Sequence, residues 1–201
     1  GNGRWAKKRL LPRTAGHAVG GDNLKKIARY CKKIGVDYLT VYAFSTENWK
    51  RTQDEVDAIM DIGEKLIYDV LKEMDETHTR LKVLGADTEK FSDKMRDLIN
   101  RAHEQSKKYD GFQVNVCLNY GGRDEIVRAA RAFAADVAEG KRDPDSLTEE
   151  DFSGYLYSAG IPEPELMIRP GGEHRLSNFL LWQCAYSEFY YCDTFWPDFD
   201  E

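Results

Sequence analysis

No stretch of the 201 residues is long and apolar enough to cross a bilayer or to read as a signal peptide, and no cysteine pair has metal-ligand spacing. The four cysteines, at positions 31, 117, 184 and 192, are therefore expected to be reduced thiols of a cytosolic protein. A surplus of positive charge is also missing. With 29 Lys plus Arg against 35 Asp plus Glu, the formal charge of −6 argues against general nucleic-acid affinity, so any anion site must be local. The chain lacks a Gly-x-x-x-x-Gly-Lys-Ser/Thr loop, which removes a P-loop nucleotide-binding protein from consideration. Nothing resembles a linker. Hydrophobic content of 41% suffices for one sizeable core, and a single domain over residues 1–201 is expected.

What the chain does have is a loop suited to an anion. Leu166, Met167 and Ile168 have strand character, and Phe179 to Trp182 read as a buried helix. Between them stand Arg169, Pro170, Gly171, Gly172, Glu173, His174, Arg175, Leu176, Ser177 and Asn178. Two glycines let the backbone approach a ligand, two arginines offer planar forks that match phosphate oxygens, and Ser177 is expected where a helix N-terminus exposes free N–H groups. An ordinary turn with solvated arginines is the competing reading of this loop alone. A second candidate cradle opens the chain, where Gly1, Asn2, Gly3, Arg4 and Trp5 precede a basic cluster, with Arg13 and His17 following. Its competing reading is a frayed basic terminus.

The intervening pattern alternates strands and helices. Asp22, after Gly20 and Gly21, is a plausible N-cap for a helix whose apolar positions recur until Gly35. A strand from Tyr38 to Ala43 ends at Phe44, Ser45, Thr46, Glu47, Asn48, Trp49, Lys50 and Arg51, the carboxyl edge where parallel sheets bind ligands. An amphipathic helix follows from Asp54 to Met74, in which Gly63 suggests a bend or a close approach. Then come strand Leu81 to Leu84, a helix from Phe91 to Lys107, strand Phe112 to Leu118, a loop at 119–123 and helix Glu125 to Ala138. A capped short helix near Thr148 to Tyr157 and a last strand, Tyr186 to Tyr191, complete the count. This is α/β alternation, hence one domain with a mostly parallel central sheet flanked by helices. His78 and His103 lie on faces expected to be exposed and receive no role.

Five blocks together resemble the cis-prenyltransferases, most closely the bacterial undecaprenyl diphosphate synthases. They are Gly-Asn-Gly-Arg-Trp-Ala at 1–6, Tyr-Ala-Phe-Ser-Thr-Glu-Asn-Trp-Lys-Arg at 42–51, Asn-Tyr-Gly-Gly-Arg at 119–123, the Gly-Glu-His-Arg-Leu-Ser-Asn-Phe-Leu-Leu-Trp-Gln run at 172–183, and Trp-Pro-Asp-Phe at 196–199. The resemblance implies a cytoplasmic homodimer that condenses isopentenyl diphosphate in cis geometry onto an allylic diphosphate such as farnesyl diphosphate, with Mg2+, to a medium-length product such as undecaprenyl diphosphate. It implies that Asn2, Gly3, Arg4, Arg13 and His17 hold the allylic diphosphate, with Gly1 and Trp5 also in the substrate-binding set, and that Arg169, Arg175 and Ser177 hold isopentenyl diphosphate. Ser45, Asn48 and Arg51 would stand at the reacting carbons, beside Thr46 and Glu47, while Trp49 and Glu55 would belong to a segment that closes over the substrates. His174 and Glu188 would organise the metal, partly across the dimer interface. An apolar tunnel walled by the 54–74 helix and the 112–118 strand, with Phe112 near its closed end, would take the growing chain, and contact with a membrane would serve product release.

The sequence departs from that pattern in three places. Pro170 stands where the family more often has threonine, which removes a hydroxyl and a backbone N–H beside Arg169. An aspartate, with the first strand that carries it, would directly precede Gly1, and a basic tail would follow Glu201; both lie outside the 201 residues. If Gly1 were the first residue, the loss of that carboxylate from the metal would cost on the order of a thousandfold in rate. The rival reading is a non-catalytic subunit of the same fold that supports an active partner. Such a subunit would be expected to lose the arginines and Asn48, yet Arg4, Arg13, Asn48, Arg51, Arg169 and Arg175 are all present.

Overall fold

A computed structural model of the chain describes residues 1–86 and 89–200, so Glu201, the end of the expected domain, lies outside it. The described strands are β1 (Tyr38–Ser45), β2 (Arg80–Leu84), β3 (Gln113–Tyr120), β4 (Leu166–Pro170) and β5 (Glu188–Cys192). All their pairings are parallel, as the alternation predicts, but the ladder falls into two sheets, β1-β3-β2 and β4-β5. The two sheets are joined through side chains rather than hydrogen bonds, in a core cluster of Leu84, Cys117, Tyr120, Met167, Leu180 and Cys184. Every residue of β3 is buried, as befits a central strand covered on both faces. Its polar side chains are satisfied in series, with Gln113 Nε2 donating to Asn115 Oδ1 at 2.7 Å and Asn115 Nδ2 to Thr40 Oγ1 at 3.1 Å.

Six α-helices are described: α1 (Asn2–Lys8), α2 (Arg13–Lys33), α3 (Gln53–Thr77), α4 (Asp93–Ser106), α5 (Gly122–Ala138) and α6 (Glu149–Ser153). The opening glycines form no loose loop, because Gly1 caps α1 and its carbonyl accepts from the N–H groups of Arg4 and Trp5. Asp22 is not an N-cap. The second helix begins nine residues earlier, at Arg13, and runs through Gly16 and Gly20, where α1 lies against it, and Gly21, which faces Ile62 of α3. A Cβ on Gly16 would stand 2.2 Å from the Asn2 carbonyl oxygen, and one on Gly20 would stand 2.5 Å from Asn2 Nδ2. Glycine therefore buys interhelical contact at some cost in helix propensity. Gly35, at φ +85°, ends the helix region as expected. The third helix is unbroken at Gly63, which instead lets the Met95 methyl approach.

The main core lies between the first sheet and α3 and α4, around Phe44, Ile67, Leu71, Met74, Met95, Leu98, Val114 and Val116. On the same side of the sheet, α2 and α3 and the strands line a cavity of about 130 Å³ that opens to solvent. Its lining includes Leu66, Ile67, Val70, Phe112, Val114, Val116 and Leu118, the helix and strand expected as tunnel walls, with α2 added through Leu24 and Ala28. Among the described residues no helix is long and apolar enough to cross a membrane.

Candidate active site

The carboxyl end of β1 leads into a 3₁₀ turn, Thr46–Lys50, closed by a reciprocal cap between Ser45 and Asn48. The Ser45 N–H donates to Asn48 Oδ1 at 3.0 Å. This fixes the turn and engages the Asn48 amide oxygen. Trp49 donates its indole N–H to Asn119 Oδ1 at 2.7 Å, and Asn119 passes on a bond from Nδ2 to the Ala86 carbonyl. Glu47 accepts from Asn178 Nδ2 at 2.9 Å, while the Asn178 carbonyl and Oδ1 accept from the N–H groups of Gly122 and Arg123. A Cβ on Gly121 would come within 2.8 Å of Thr46 Oγ1 and 2.9 Å of Asn178 Nδ2. Gly121 is thus glycine because three segments converge on it, those at 45–51, 119–123 and 172–183.

The loop after β4 differs from expectation. Phe179 to Trp182 form successive turns, not a helix, and Ser177 sits at no helix N-terminus. Ser177, Asn178 and Leu180 have φ of 53°, 64° and 42°, which breaks helical propagation three times within four residues. What holds the turns is a buried carboxylate that the sequence reading did not single out. Glu125, 1% exposed, accepts from Tyr120 Oη, from the Tyr157 N–H at 2.8 Å and from Gln183 Nε2 at 3.1 Å. Only its place directly after the Gly-Gly-Arg loop could have hinted at it.

The two expected anion sites meet. Arg169 Nη1 donates to Ser177 Oγ at 2.9 Å and to the Arg175 carbonyl, so the serine is anchored by an arginine rather than by a helix. Glu173, also missed, pairs with Arg175 and with Arg4 at 3.1 Å. Arg4 lies over the Phe195 ring, 5.4 Å from its centre, and a Cβ on Gly171 would come 2.9 Å from the Gly1 nitrogen. Gly3 in turn stands against the Arg13 side chain. Beside it, Glu55 gathers Arg51 at 2.6 Å, Arg13 at 3.3 Å and His17 at 3.3 Å. Burial alone would raise the Glu55 pKa, but the bond from His17 and the charges of Arg51 and Arg13 outweigh it and hold the carboxyl below its ordinary range. The His17 pKa is lowered, burial outweighing the help from Glu55.

Trp5 is buried, donates to Asp198 Oδ1 at 2.7 Å and carries Arg9 over its ring, so it fixes α1 to the 196–198 turn. His174 and Glu188 do not form a pair within the chain. His174 stacks on Tyr191, ring centres 4.8 Å apart, whereas Glu188 begins β5 three residues earlier, about 10 Å along the strand. Among the described residues no group of three His, Cys, Asp or Glu could hold a metal ion, and Glu173, beside the arginines, is already paired. The donor set therefore does not fit a preformed metal centre within one chain. His103, expected to be exposed, instead accepts from the Val83 N–H at 2.8 Å.

Residues 1–201 match the family described as "Putative undecaprenyl diphosphate synthase". The isoprenyl transferase of Clostridium perfringens is 50% identical over 200 residues, covering 100% of this chain and 79% of its own length. That of Listeria monocytogenes is 47% identical, with coverage of 100% and 79%. Among solved structures, lavandulyl diphosphate synthase from Lavandula x intermedia, in complex with dimethylallyl diphosphate, superposes with a TM-score of 0.95 at 36% identity, over 100% of this chain and 86% of that one. A probable undecaprenyl diphosphate synthase from Campylobacter jejuni gives 0.77 at 36% identity, over 90% and 83%.

Proposed function

The chain belongs to the undecaprenyl diphosphate synthase family and is a prenyltransferase; from that premise we propose that it condenses isopentenyl diphosphate in cis geometry onto an allylic diphosphate, farnesyl diphosphate foremost, to a medium-length polyprenyl diphosphate such as undecaprenyl diphosphate. The observation that carries this reading is the contact of two arginine-bearing anion sites, Arg4 with Glu173 and Gly1 with Gly171, beside the strand that leads into the apolar cavity.

In this reading Arg4, Arg13, His17 and Arg51 hold the allylic diphosphate and stabilise the negative charge that grows on its oxygens as the allylic C–O bond breaks. Arg169, Arg175 and Ser177 hold isopentenyl diphosphate with its alkene towards the electron-poor allylic carbon. A new carbon–carbon bond forms, and a proton leaves the neighbouring carbon of the isopentenyl unit. Asn48 Oδ1 is engaged by the Ser45 N–H, which favours an oxygen of the departing diphosphate as acceptor. The product is again an allylic diphosphate, and its tail lengthens into the cavity, where each added unit buries five carbons, roughly 4 kcal/mol. Magnesium belongs to the proposal as a companion of the diphosphates. It binds such sites through few protein carboxylates and several phosphate oxygens.

A second copy of the chain as partner is supported by an uncovered apolar face on the second sheet, where Leu166, Ile168 and Tyr190 are exposed on one side. His174 and Glu188 could then serve one site from two chains. The test is incubation with farnesyl diphosphate, magnesium and labelled isopentenyl diphosphate, read by chromatography. Products growing in five-carbon steps support the reading. Incorporation only after a second, different subunit is added would favour a non-catalytic supporting role instead.

A further inference from the structure

The cavity's floor and its outer wall are built differently. The floor is apolar, from Leu81, Val114 and Val116 of the sheet to Ile67 and Val70 of α3. Along the outer wall α2 and α3 run in the same direction in a fixed pairing. Nearest the active site they almost touch, since a Cβ on Gly21 would lie 3.3 Å from Ile62 Cγ2. Further down, long side chains bridge the gap. Lys25 donates to Asp69, Arg29 to Glu73 at 3.1 Å, and Lys32 to the Thr77 carbonyl. All six of these bridging residues line the cavity. The middle rung is also wet, with the Arg29 and Glu73 side chains 65% and 47% exposed.

We propose that these three bridges form a clasp that limits how long a chain the cavity accepts. A growing apolar chain that fills the cavity has two ways to advance. At the far end it meets Phe112, buried in the main core, whose displacement would leave a void. At the side it meets one exposed ion pair, Arg29 with Glu73, flanked by the more covered Lys25–Asp69 pair and by Lys32 on the Thr77 carbonyl; the exposed pair is individually weak, and its charged ends stay hydrated when they part. The side is the easier exit, so the strength of the α2–α3 rungs sets the length at which growth stops: rungs that hold stop the tail when the cavity is full, and rungs that part let it pass between the helices and grow further. The inference rests on the reading of the cavity as the holder of a prenyl chain.

The test compares product lengths from labelled isopentenyl diphosphate and farnesyl diphosphate for the parent chain, Glu73→Lys, and the swap Arg29→Glu with Glu73→Lys. Like charges across the rung should shift the main product to longer chains by at least one five-carbon unit. The swap should return it to the parent length. High salt should move the parent in the same direction as Glu73→Lys. None of these residues touches the proposed diphosphate sites, so thermal melts serve to confirm folding. Identical product ladders for the parent and Glu73→Lys, or a swap that fails to restore the parent length, would overturn the clasp. No labelled polymer from the parent chain would instead sink the prenyl-chain reading, and the clasp with it.

Discussion

The Arg4 guanidinium stands 3.1 Å from the Glu173 carboxylate, so the first helix and the loop after β4 share one charged contact. Glu173 holds Arg175 as well, leaving Arg169 to organise Ser177. Lysine can replace the charge at either arginine but not the planar fork. Arg169→Lys and Arg175→Lys should each weaken isopentenyl diphosphate binding more than farnesyl diphosphate binding, by about tenfold for the loss of roughly one charge-assisted bond. Separate titrations with the two ligands check this. Equal losses for both would show that the division into two phosphate sites is wrong.

Two glycines of the long helices should respond in opposite directions to the same change. At Gly16 a Cβ would run into the Asn2 backbone at 2.2 Å, so Gly16→Ala must push α1 away and should cost about 1–3 kcal/mol despite better helix propensity. At Gly63 the nearest atom is the flexible end of Met95 at 3.4 Å, and alanine there should be neutral or stabilise by up to about 1 kcal/mol. Denaturant unfolding of both variants decides it. A Gly16→Ala protein as stable as its parent would mean that α1 is not seated on α2 as described.

These glycines also mark where the sequence was legible and where it was not. Strand positions and the βα alternation could be read because apolar periodicity is local, and β1, β2 and β3 each lie within two residues of expectation at either end. The start of α2 could not, since Gly20 and Gly21 look like breakers until Asn2, eighteen residues away, is seen against Gly20. The apolar run at 179–182 suits a buried helix as well as buried turns; Glu125, far off in sequence, decides between them. The arginines were legible as anion-binding types. Their restraint by Glu55 and Glu173 was not, because the pairing is tertiary.

The Glu55 cluster makes stability depend on pH. Both its ionisable members bind fewer protons in the folded state, Glu55 because His17 and two arginines overcome burial, and His17 because of burial itself. Stability from His17 is therefore complete above its unfolded value of 6.5 and declines as pH falls below it. The Glu55 contribution is lost at lower pH, below its unfolded value of 4.5. His17→Gln should flatten the upper part of the acid-side decline and, because the His17 bond also holds the Glu55 carboxyl low, reduce the lower part while Arg51 and Arg13 keep some of it. Denaturant midpoints measured from neutral to acid pH read this directly. An unchanged slope just below 6.5 in His17→Gln would remove His17 from the account.

Phe112 belongs both to the core and to the cavity. It is 7% exposed, precedes β3 at the end remote from Ser45, and lines the cavity with Thr79. Shortening it should extend the space available to a prenyl tail, so Phe112→Ala should yield longer products than the parent. The same change removes a buried ring at a cost of about 3–5 kcal/mol, enough to reduce activity through unfolding alone. Phe112→Leu, which costs less, separates the effects: length should rise in order of the volume removed, Leu before Ala, whatever happens to the yield. Chromatograms of radiolabelled product, taken with melting curves of each variant, provide the check. Product of parental length from both variants would mean that the tail never reaches Phe112, leaving the α2–α3 side as the only limit on growth.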